Sequence, residues 1–375
     1  MVRPEAQATE PVVEQGVCYA LFAYDAGLGI DLDHAARRIK TLTQRATIRH
    51  KHRAPTYFDY RPAPLRVTQE GEALAVGSFR TAPSVETVLY DFGALSVTYQ
   101  ISLQGPLARL MTLSEELYES DALRAHSRRW VEGLLAAIAP AVTRARLADF
   151  VETYVIFAID GFSPPCPPAA LYTTHAQEVA QILRTERTVL SAQEVGDALA
   201  QRISFGADDV AIIDWDVALI ADRDADDVRA VLEFANVELL EMRFLDQQLD
   251  DALDESYETL SRGRYSVWPG ASRAILRRVG QLQVDNAVLF EGVNNALKLL
   301  GDQYLARVYR LVSERFHLAE WDASILRKLQ TLESIYQKLS DQAANRRIEV
   351  LEWIIIVLIA AEILIPFAPR LLGVR

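Results

Sequence analysis

The sequence predicts an α+β protein: a mixed α/β N-terminal part, followed by a long-helix, coiled-coil-like bundle and one C-terminal transmembrane helix. Three observations predict this class. Short runs rich in Val, Tyr and Phe, separated by Gly, Pro and Asp, alternate with amphipathic stretches as far as residue 221. From residue 222 the apolar residues recur every three or four positions over long stretches. The chain then closes on an apolar run with almost no charge.

Composition and charge narrow the class of function before any motif is considered. The chain has 375 residues, of which 50% are hydrophobic and 24% charged, as in folded domains rather than disordered chains. Its net charge of −12 argues against a nucleic-acid coat, because such proteins need Lys and Arg to replace counterions. Two cysteines, Cys18 and Cys166, are too few for a disulfide framework or a four-cysteine zinc site. We therefore expect no direct nucleic-acid partner and no cofactor.

Changes in composition and hydrophobic periodicity along the chain predict its domain boundaries. The first residues contain Glu and Pro and lack the apolar core of a signal peptide, which predicts a disordered terminus. Whether the two α/β segments form one domain or two is left open by the sequence. The predicted parts are a disordered terminus (1–15), an α/β domain with a helical end (16–150), a second α/β segment (151–221), a helical bundle or coiled coil (222–345) and a transmembrane anchor with a short tail (346–375).

The first α/β part is predicted from apolar runs bounded by turn residues. Asp33 is a suitable N-cap for a helix over Asp33–Leu42. Residues 107–145 carry leucines at helical spacing and are predicted to be helical. The predicted strands are Val17–Phe22, Leu65–Thr68, Ala73–Arg80, Val85–Tyr90 and Leu95–Leu103.

The second α/β segment repeats this texture around a cluster of prolines at 163–168, which we interpret as a stiff surface connection. Its short apolar runs predict strands, and its amphipathic stretches predict helices. The predicted strands are Tyr154–Ile159, Val210–Ile213 and Val217–Ala221, and the predicted helices are Ala176–Arg184 and Ala192–Arg202.

Long helical seams follow in 232–260, 275–300 and 325–343, where apolar residues alternate in steps of three and four. This spacing is typical of helices that pack at a shallow angle. It fits an intramolecular helical hairpin as well as a coiled coil between copies of the chain. For a homo-oligomer, the last seam supplies the predicted interface: Ile325, Leu329, Leu332, Tyr336 and Leu339.

The apolar run over Trp353–Ala368 contains one charged residue, Glu362, and reaches the length of a membrane span if it is extended to Leu372. We therefore predict a single-pass C-terminal anchor in the lipid bilayer, with the bulk of the chain in the cytoplasm; the role of Glu362 is left open. The predicted anchor residues are Trp353, Ile354, Ile355, Ile356, Val357, Leu358, Ile359, Glu362, Ile363, Leu364, Ile365 and Phe367.

The same region resembles a known family. An Arg-bearing helix (Arg346, Arg347), a Leu351-Glu352-Trp353 step, an Ile-rich segment and a Glu nine residues after the Trp resemble the C-terminal signature of the "required for meiotic nuclear division" family with its YagE-like bacterial members. The resemblance extends over residues 150–370 and implies a membrane-anchored, self-associating protein without an assigned catalytic activity. Mitochondrial members support organellar translation. It adds Arg346, Arg347, Leu351 and Glu352 to the predicted oligomer interface.

An acidic segment offers an alternative reading. Asp222, Asp224, Asp226 and Glu233 fall at positions 1, 3, 5 and 12 of an EF-hand loop, but Asp227 stands where such a loop needs Gly. An acidic first helical turn, which complements the helix dipole, explains the same residues. The alternative function is a divalent-cation-dependent module or enzyme that uses the acidic segment 208–227.

Catalytic motifs give little support to an enzyme. The sequence contains no Gly-x-Ser-x-Gly, no Walker loop and no Gly-x-Gly-x-x-Gly. We therefore predict a non-enzymatic, tail-anchored protein that self-associates through its long helices and presents a cytoplasmic α/β domain to an unknown protein partner.

Overall fold

The computed structural model describes residues 11–39, 43–45, 63–118, 120–261 and 303–364, and the single positions 280–282, 284 and 287. Its contacts divide the chain into two compact units. Unit 1 comprises Met1–Leu245 and Asp285–Asp322, and unit 2 comprises Asp246–Val284 and Ala323–Arg375.

The strands in the described residues all belong to unit 1. They are β1 (Val12–Asp25), β2 (Gly29–Ile30), β3 (Thr43–Arg45), β4 (Leu65–Glu70), β5 (Ala75–Val76), β6 (Phe79–Leu89), β7 (Ala94–Pro106), β8 (Val142–Thr143), β9 (Glu152–Ser163), β10 (Arg202–Ile203), β11 (Val210–Ile213) and β12 (Val217–Ala221).

The two longest helices in the described residues, of 36 and 47 residues, lie in the C-terminal half of the chain. The helices in these residues are α1 (Leu32–Arg38), α2 (Ala108–Tyr118), α3 (Asp121–Ile138), α4 (Pro168–Leu171), α5 (Ala176–Arg184), α6 (Ala192–Ala198), α7 (Asp226–Ser261), α8 (Gln303–Arg315) and α9 (Leu318–Leu364).

One ten-stranded sheet dominates the described part of unit 1. Its strand order is β10-β11-β12-β9-β1-β7-β6-β4-β3, and β5 pairs with β6 outside this path. The pairs are antiparallel except β9 with β12. The sequence left open whether the two α/β segments form one domain or two. Because β9 pairs directly with β1, both segments contribute to the same sheet.

The central strand β1 explains why its sequence is so apolar. It pairs with β7 on one side and β9 on the other, so both of its edges are covered by strands, and helices cover both of its faces. Phe22 and Tyr24 belong to the core shared with helices α1, α2, α3, α5 and α6. Ala23, between them, lies on the opposite face in the cluster that contains Val237 and Leu240 of α7. The result is a sheet layer between two helical layers.

Most predicted elements are confirmed, several with identical bounds. Helix α5 and strands β11 and β12 begin and end where the sequence predicted. Each has a clear local signal in its sequence. Helix α5 is amphipathic, and the nine residues of β11 and β12 are all apolar and are all buried.

Five local predictions are wrong. The predicted helix Ala192–Arg202 ends at Ala198, and Arg202 belongs to strand β10. Strand β1 begins at Val12, so the terminus is ordered earlier than residue 16. Helix α1 is capped by Asp31, whose side chain accepts the His34 N–H, rather than by Asp33. Ala73–Arg80 is interrupted by a turn between β5 and β6. The predicted helix over 107–145 divides, because Ser120 caps a new helix, α3, by accepting the Leu123 N–H.

Gly93 closes the turn between β6 and β7 by a close approach of two backbones. Its φ of +107° is one that L side chains rarely adopt. A Cβ at this position would stand 1.8 Å from the Gly27 carbonyl oxygen. The turn therefore requires glycine.

Unit 2 contains the continuation of two long helices. Leu249, Ala252 and Ser256 of α7 are buried, as are Ile325 and Leu329 of α9. The Lys328 Nζ lies 2.7 Å from carboxylate oxygens of both Asp246 and Asp250. Residues 246–261 of α7 therefore pack beside the part of α9 that carries Lys328, within the same chain. The predicted seam over 275–300 lies almost entirely outside the described residues.

The predicted C-terminal transmembrane helix is wrong. In the part of the chain that the structure describes, no helix is both long enough and apolar enough to cross a bilayer. A span needs about 20 mostly apolar residues. The final eighteen described residues of α9 include four charged ones, Arg347, Glu349, Glu352 and Glu362. The predicted tail anchor is therefore wrong, and so is the single-pass membrane localisation that depended on it.

Candidate functional site

The exposed apolar part of α9 is the first candidate site. We call it the apolar segment, and it consists of Ile348, Leu351 and residues 353–359. These nine side chains are each 49–67% exposed. The predicted anchor residues 353–359 thus lie on one helix in contact with solvent. Glu362, Ile363 and Leu364 continue the helix, and Ile365 and Phe367 lie outside the described residues.

Three residues of the predicted oligomer seam are buried, unlike the apolar segment. Ile325, Leu329 and Leu332 are buried inside unit 2, which agrees with the intramolecular alternative left open by the sequence. Leu351 and Glu352 are exposed. For Tyr336, Leu339, Arg346 and Arg347 the structure describes the helical backbone alone.

The acidic segment does not converge on one point. Asp224 and Asp226 are exposed, and the Asp222 carboxylate accepts the Asp224 N–H at 3.0 Å. Asp226 and Asp227 form the first turn of α7, as the helix-dipole alternative expects. Within the described ranges, no group of three or more His, Cys, Asp or Glu side chains is placed to hold a metal ion.

Glu233, the proposed twelfth position, points instead into the sheet. Its Oε1 accepts hydrogen bonds from Ser96 Oγ at 2.7 Å and Thr98 Oγ1 at 3.3 Å. One turn earlier, Arg229 donates to Glu86 Oε1 at 2.9 Å, and its guanidinium lies 4.7 Å from the centre of the Tyr19 ring. These polar contacts attach the first turns of α7 to the sheet.

A second charged cluster surrounds Asp214 at the turn between β11 and β12. We call it the Asp214 ring; it comprises Asp214, Arg184, Asp197 and Arg315. Arg315 Nε donates to Asp214 Oδ1 at 2.7 Å, and Arg184 Nε lies 3.0 Å from Oδ2. Asp197 on α6 also pairs with both arginines. Two cations and two anions therefore alternate, and they join helices α5, α6 and α8 to the end of the sheet.

The burial of Asp214 makes this ring unusual. Its side chain is 1% exposed, and it also accepts the Trp215 N–H at 2.8 Å. Tyr154 Oη donates to the Asp214 carbonyl at 2.9 Å. Burial raises the pKa of the Asp214 carboxyl, and the hydrogen bond and charge of Arg315 act in the opposite direction. Because Arg315 hydrogen-bonds one carboxylate oxygen of Asp214 and Arg184 forms an ion pair with the other, we interpret Asp214 as a structural link.

Two further buried carboxyls have pKa values near neutrality. Burial raises the pKa of Glu152 to about 7, although Arg243 Nη1 donates to it at 2.7 Å. Burial also raises the pKa of Glu238 to about 7, and the nearby charge of Asp322 adds to this effect. Tyr309 Oη donates to Glu238 Oε2 at 2.7 Å.

Glu238 leads to a prediction about pH. The unfolded chain releases this proton near its ordinary pKa of 4.5, whereas the folded chain keeps it up to about pH 7. Between these values the folded state binds more protons, so the Glu238 contribution to stability falls as pH rises. We expect Glu238→Gln to increase the free energy of unfolding by about 2–3 kcal/mol at pH 8 and by little at pH 4. Urea denaturation at both pH values measures this difference.

The control for this experiment is Glu132→Gln, since the Glu132 side chain is 52% exposed and should show little effect at either pH. An equal effect of Glu238→Gln at pH 4 and pH 8 would contradict the assignment.

Neither cysteine has the surroundings of an activated nucleophile. Burial raises the pKa of the Cys18 thiol, which has no exposed surface, and burial also raises the pKa of Cys166. An activated thiolate needs a lowered pKa.

Sequence reasoning missed the Asp214 ring. It included Asp214 in the acidic segment 208–227 but did not connect it with Arg184, Asp197 or Arg315. These residues lie 13 to 118 positions apart in the pairs that they form. The one local signal is that Asp214 directly follows β11, in the short turn between two strands whose residues are all apolar and buried.

Comparison with known proteins places the N-terminal part of the chain in a family. The family model described as "Uncharacterized protein MJ0711, N-terminal domain" matches residues 15–227. The uncharacterized protein MJ0711 of Methanocaldococcus jannaschii is 23% identical over 225 residues, which cover 58% of this chain and 67% of that protein. No solved structure matches the chain.

The matched region extends from β1 to the first residues of α7, so it contains the sheet together with Asp214, Arg184 and Asp197. The resemblance to the "required for meiotic nuclear division" family rests on residues beyond this match and stays a prediction. Because the match covers more than half of the 375 residues, the chain belongs to the family of the uncharacterized protein MJ0711, N-terminal domain.

Proposed function

We propose that this protein is a non-enzymatic assembly protein whose copies associate through the apolar segment of α9 and present the α/β part of unit 1 to a protein partner. The exposure of the apolar segment is the observation that supports the proposal. Nine large side chains, each about half exposed, leave on the order of 1,000 Å² of apolar surface in contact with water. Patches on monomeric proteins are typically ~300–600 Å².

A second copy of the same chain is the partner that this surface fits. Each side of a stable protein interface buries about 800 Å², and the apolar segment exposes a comparable total area, distributed around the helix. Within the helix, the seam of Ile325, Leu329 and Leu332 is already covered by unit 2, so it is not free for this purpose. The proposed association surface therefore lies further along α9 than the predicted seam of Ile325 to Leu339, and it includes Leu351, which the family resemblance added to the predicted interface.

The measurement is the molar mass of the full chain by light scattering and sedimentation at about 10 µM, well above the Kd of an ordinary stable interface. We expect a mass of at least twice that of the 375-residue chain. Ile355→Glu and Leu358→Glu should each weaken association by about 100-fold or more, because the interface would bury an unpaired charge.

The matched control is Val189→Glu, which adds the same charge at a side chain that is 84% exposed in unit 1 and should leave the mass unchanged. Circular dichroism of each variant checks that the fold is retained. A monomeric wild-type chain at this concentration contradicts the proposal, and so does a mass that the two α9 substitutions leave unaltered.

A further inference from the structure

The apolar segment carries a regular stripe of four residues. Ile348, Leu351, Ile355 and Leu358 are spaced by three, four and three positions along α9. All four side chains are more than half exposed. This is the spacing of a heptad seam, with Ile at both a positions and Leu at both d positions. In parallel coiled coils, β-branched residues at a with Leu at d favour two strands.

The stripe is separate from the seam that unit 2 uses internally. If the steps of the internal seam continue from Ile325, Leu329 and Leu332, they arrive at residues 346 and 350 rather than at 348 and 351. At 3.6 residues per turn the two seams lie roughly two-fifths of a turn apart around the helix. Trp353 and Val357 fall on the continuation of the internal seam. A second helix can therefore contact the stripe without displacing α7 residues 246–261.

The charges beside the stripe discriminate between the two orientations of a helix pair. In this heptad register Arg347 occupies a g position and Glu352 the following e position. Parallel strands place g of one copy beside the next e of the other, which brings opposite charges together. An antiparallel pair that matches equivalent positions would instead bring like charges together.

We infer that two copies of the chain pair in parallel and in register, as a two-stranded coiled coil with Ile348, Leu351, Ile355 and Leu358 in its seam. The inference rests on the proposed function, since it names the geometry of the association proposed there.

Disulfide cross-linking of the full chain tests the register. Cys166 is first replaced by Ser, whereas Cys18 is buried and stays. Ile348→Cys and Leu358→Cys are then prepared as separate proteins and oxidised. Equivalent seam positions face each other in a parallel pair, so each variant should form a cross-linked dimer by itself. Val357→Cys is the control, because it has similar exposure but occupies an outward c position; it should cross-link at least tenfold less.

The outcomes separate this inference from the proposed function. Self-cross-linking at both 348 and 358, with a mass of two chains, supports the parallel pair. A dimer that cross-links only when Ile348→Cys and Leu358→Cys are mixed is antiparallel, and it overturns the inference while self-association stands. A mass of three or more chains overturns the two-stranded geometry in the same way. A monomer overturns both proposals.

Discussion

Asp214→Asn lowers the free energy of unfolding by about 3–5 kcal/mol, the loss expected when a buried ion pair keeps its cations and loses its anion. The amide keeps the size of the carboxylate, so the effect reports charge rather than packing. Arg315 and Arg184 both lose their buried counterion, and Asp197 alone cannot replace it because its side chain is 53% exposed. Urea denaturation at pH 7, followed by circular dichroism, measures the loss.

The control for the ring is another Asp-to-Asn change at an exposed ion pair. Asp149 pairs with Arg128 at 2.8 Å, but the Asp149 side chain is fully exposed. We therefore expect Asp149→Asn to cost less than about 1 kcal/mol. If Asp214→Asn costs no more than Asp149→Asn, the ring is not a structural link, and Asp214 becomes available for another role.

Gly93→Ala destabilises unit 1 by about 3 kcal/mol or more, because the new Cβ meets backbone atoms of the segment 27–29. The obstacles are the Gly27 carbonyl oxygen at 1.8 Å and the Gly29 nitrogen at 3.1 Å, neither of which is a flexible side chain. The φ of +107° adds conformational strain. The thermal midpoint and the urea midpoint of the variant should both fall.

A matched glycine in a helix serves as the control for Gly93. Gly133 lies within α3, and a Cβ there would meet nothing within 4 Å. Gly133→Ala should stabilise the protein by about 0.5–1 kcal/mol, because alanine is the better helix former. Similar losses in the two variants would show that the contact at Gly93 relaxes.

The candidate sites differ in whether residues adjacent in sequence or residues far apart in sequence form them. The apolar residues 353–359 are adjacent in sequence, so their composition alone singled them out, although as a membrane span rather than as an exposed helix surface. The stripe of Ile348, Leu351, Ile355 and Leu358 begins before this run, and its spacing is out of step with the longer seam that starts at Ile325, so composition alone does not indicate it.

Glu233 shows the opposite case. Its spacing from Asp222 matches a calcium loop, yet its side chain reaches Ser96 and Thr98 on β7, which are more than 130 positions away. No local pattern predicts this contact, since it depends on where α7 crosses the sheet.

The sequence by itself determined the elements whose signals are local: β11, β12 and α5, the helical seam over 232–260 within α7, and the acidic first turn that begins this helix. Burial periodicity and helix-dipole effects act within a few residues, so these features can be read without the fold. Only the tertiary structure decided that β9 joins β1 in one sheet, that Asp214 is held between Arg184 and Arg315, and that Ile325, Leu329 and Leu332 are covered within the chain. Each of these depends on contacts between residues far apart in sequence, where the packing of whole layers selects the partner.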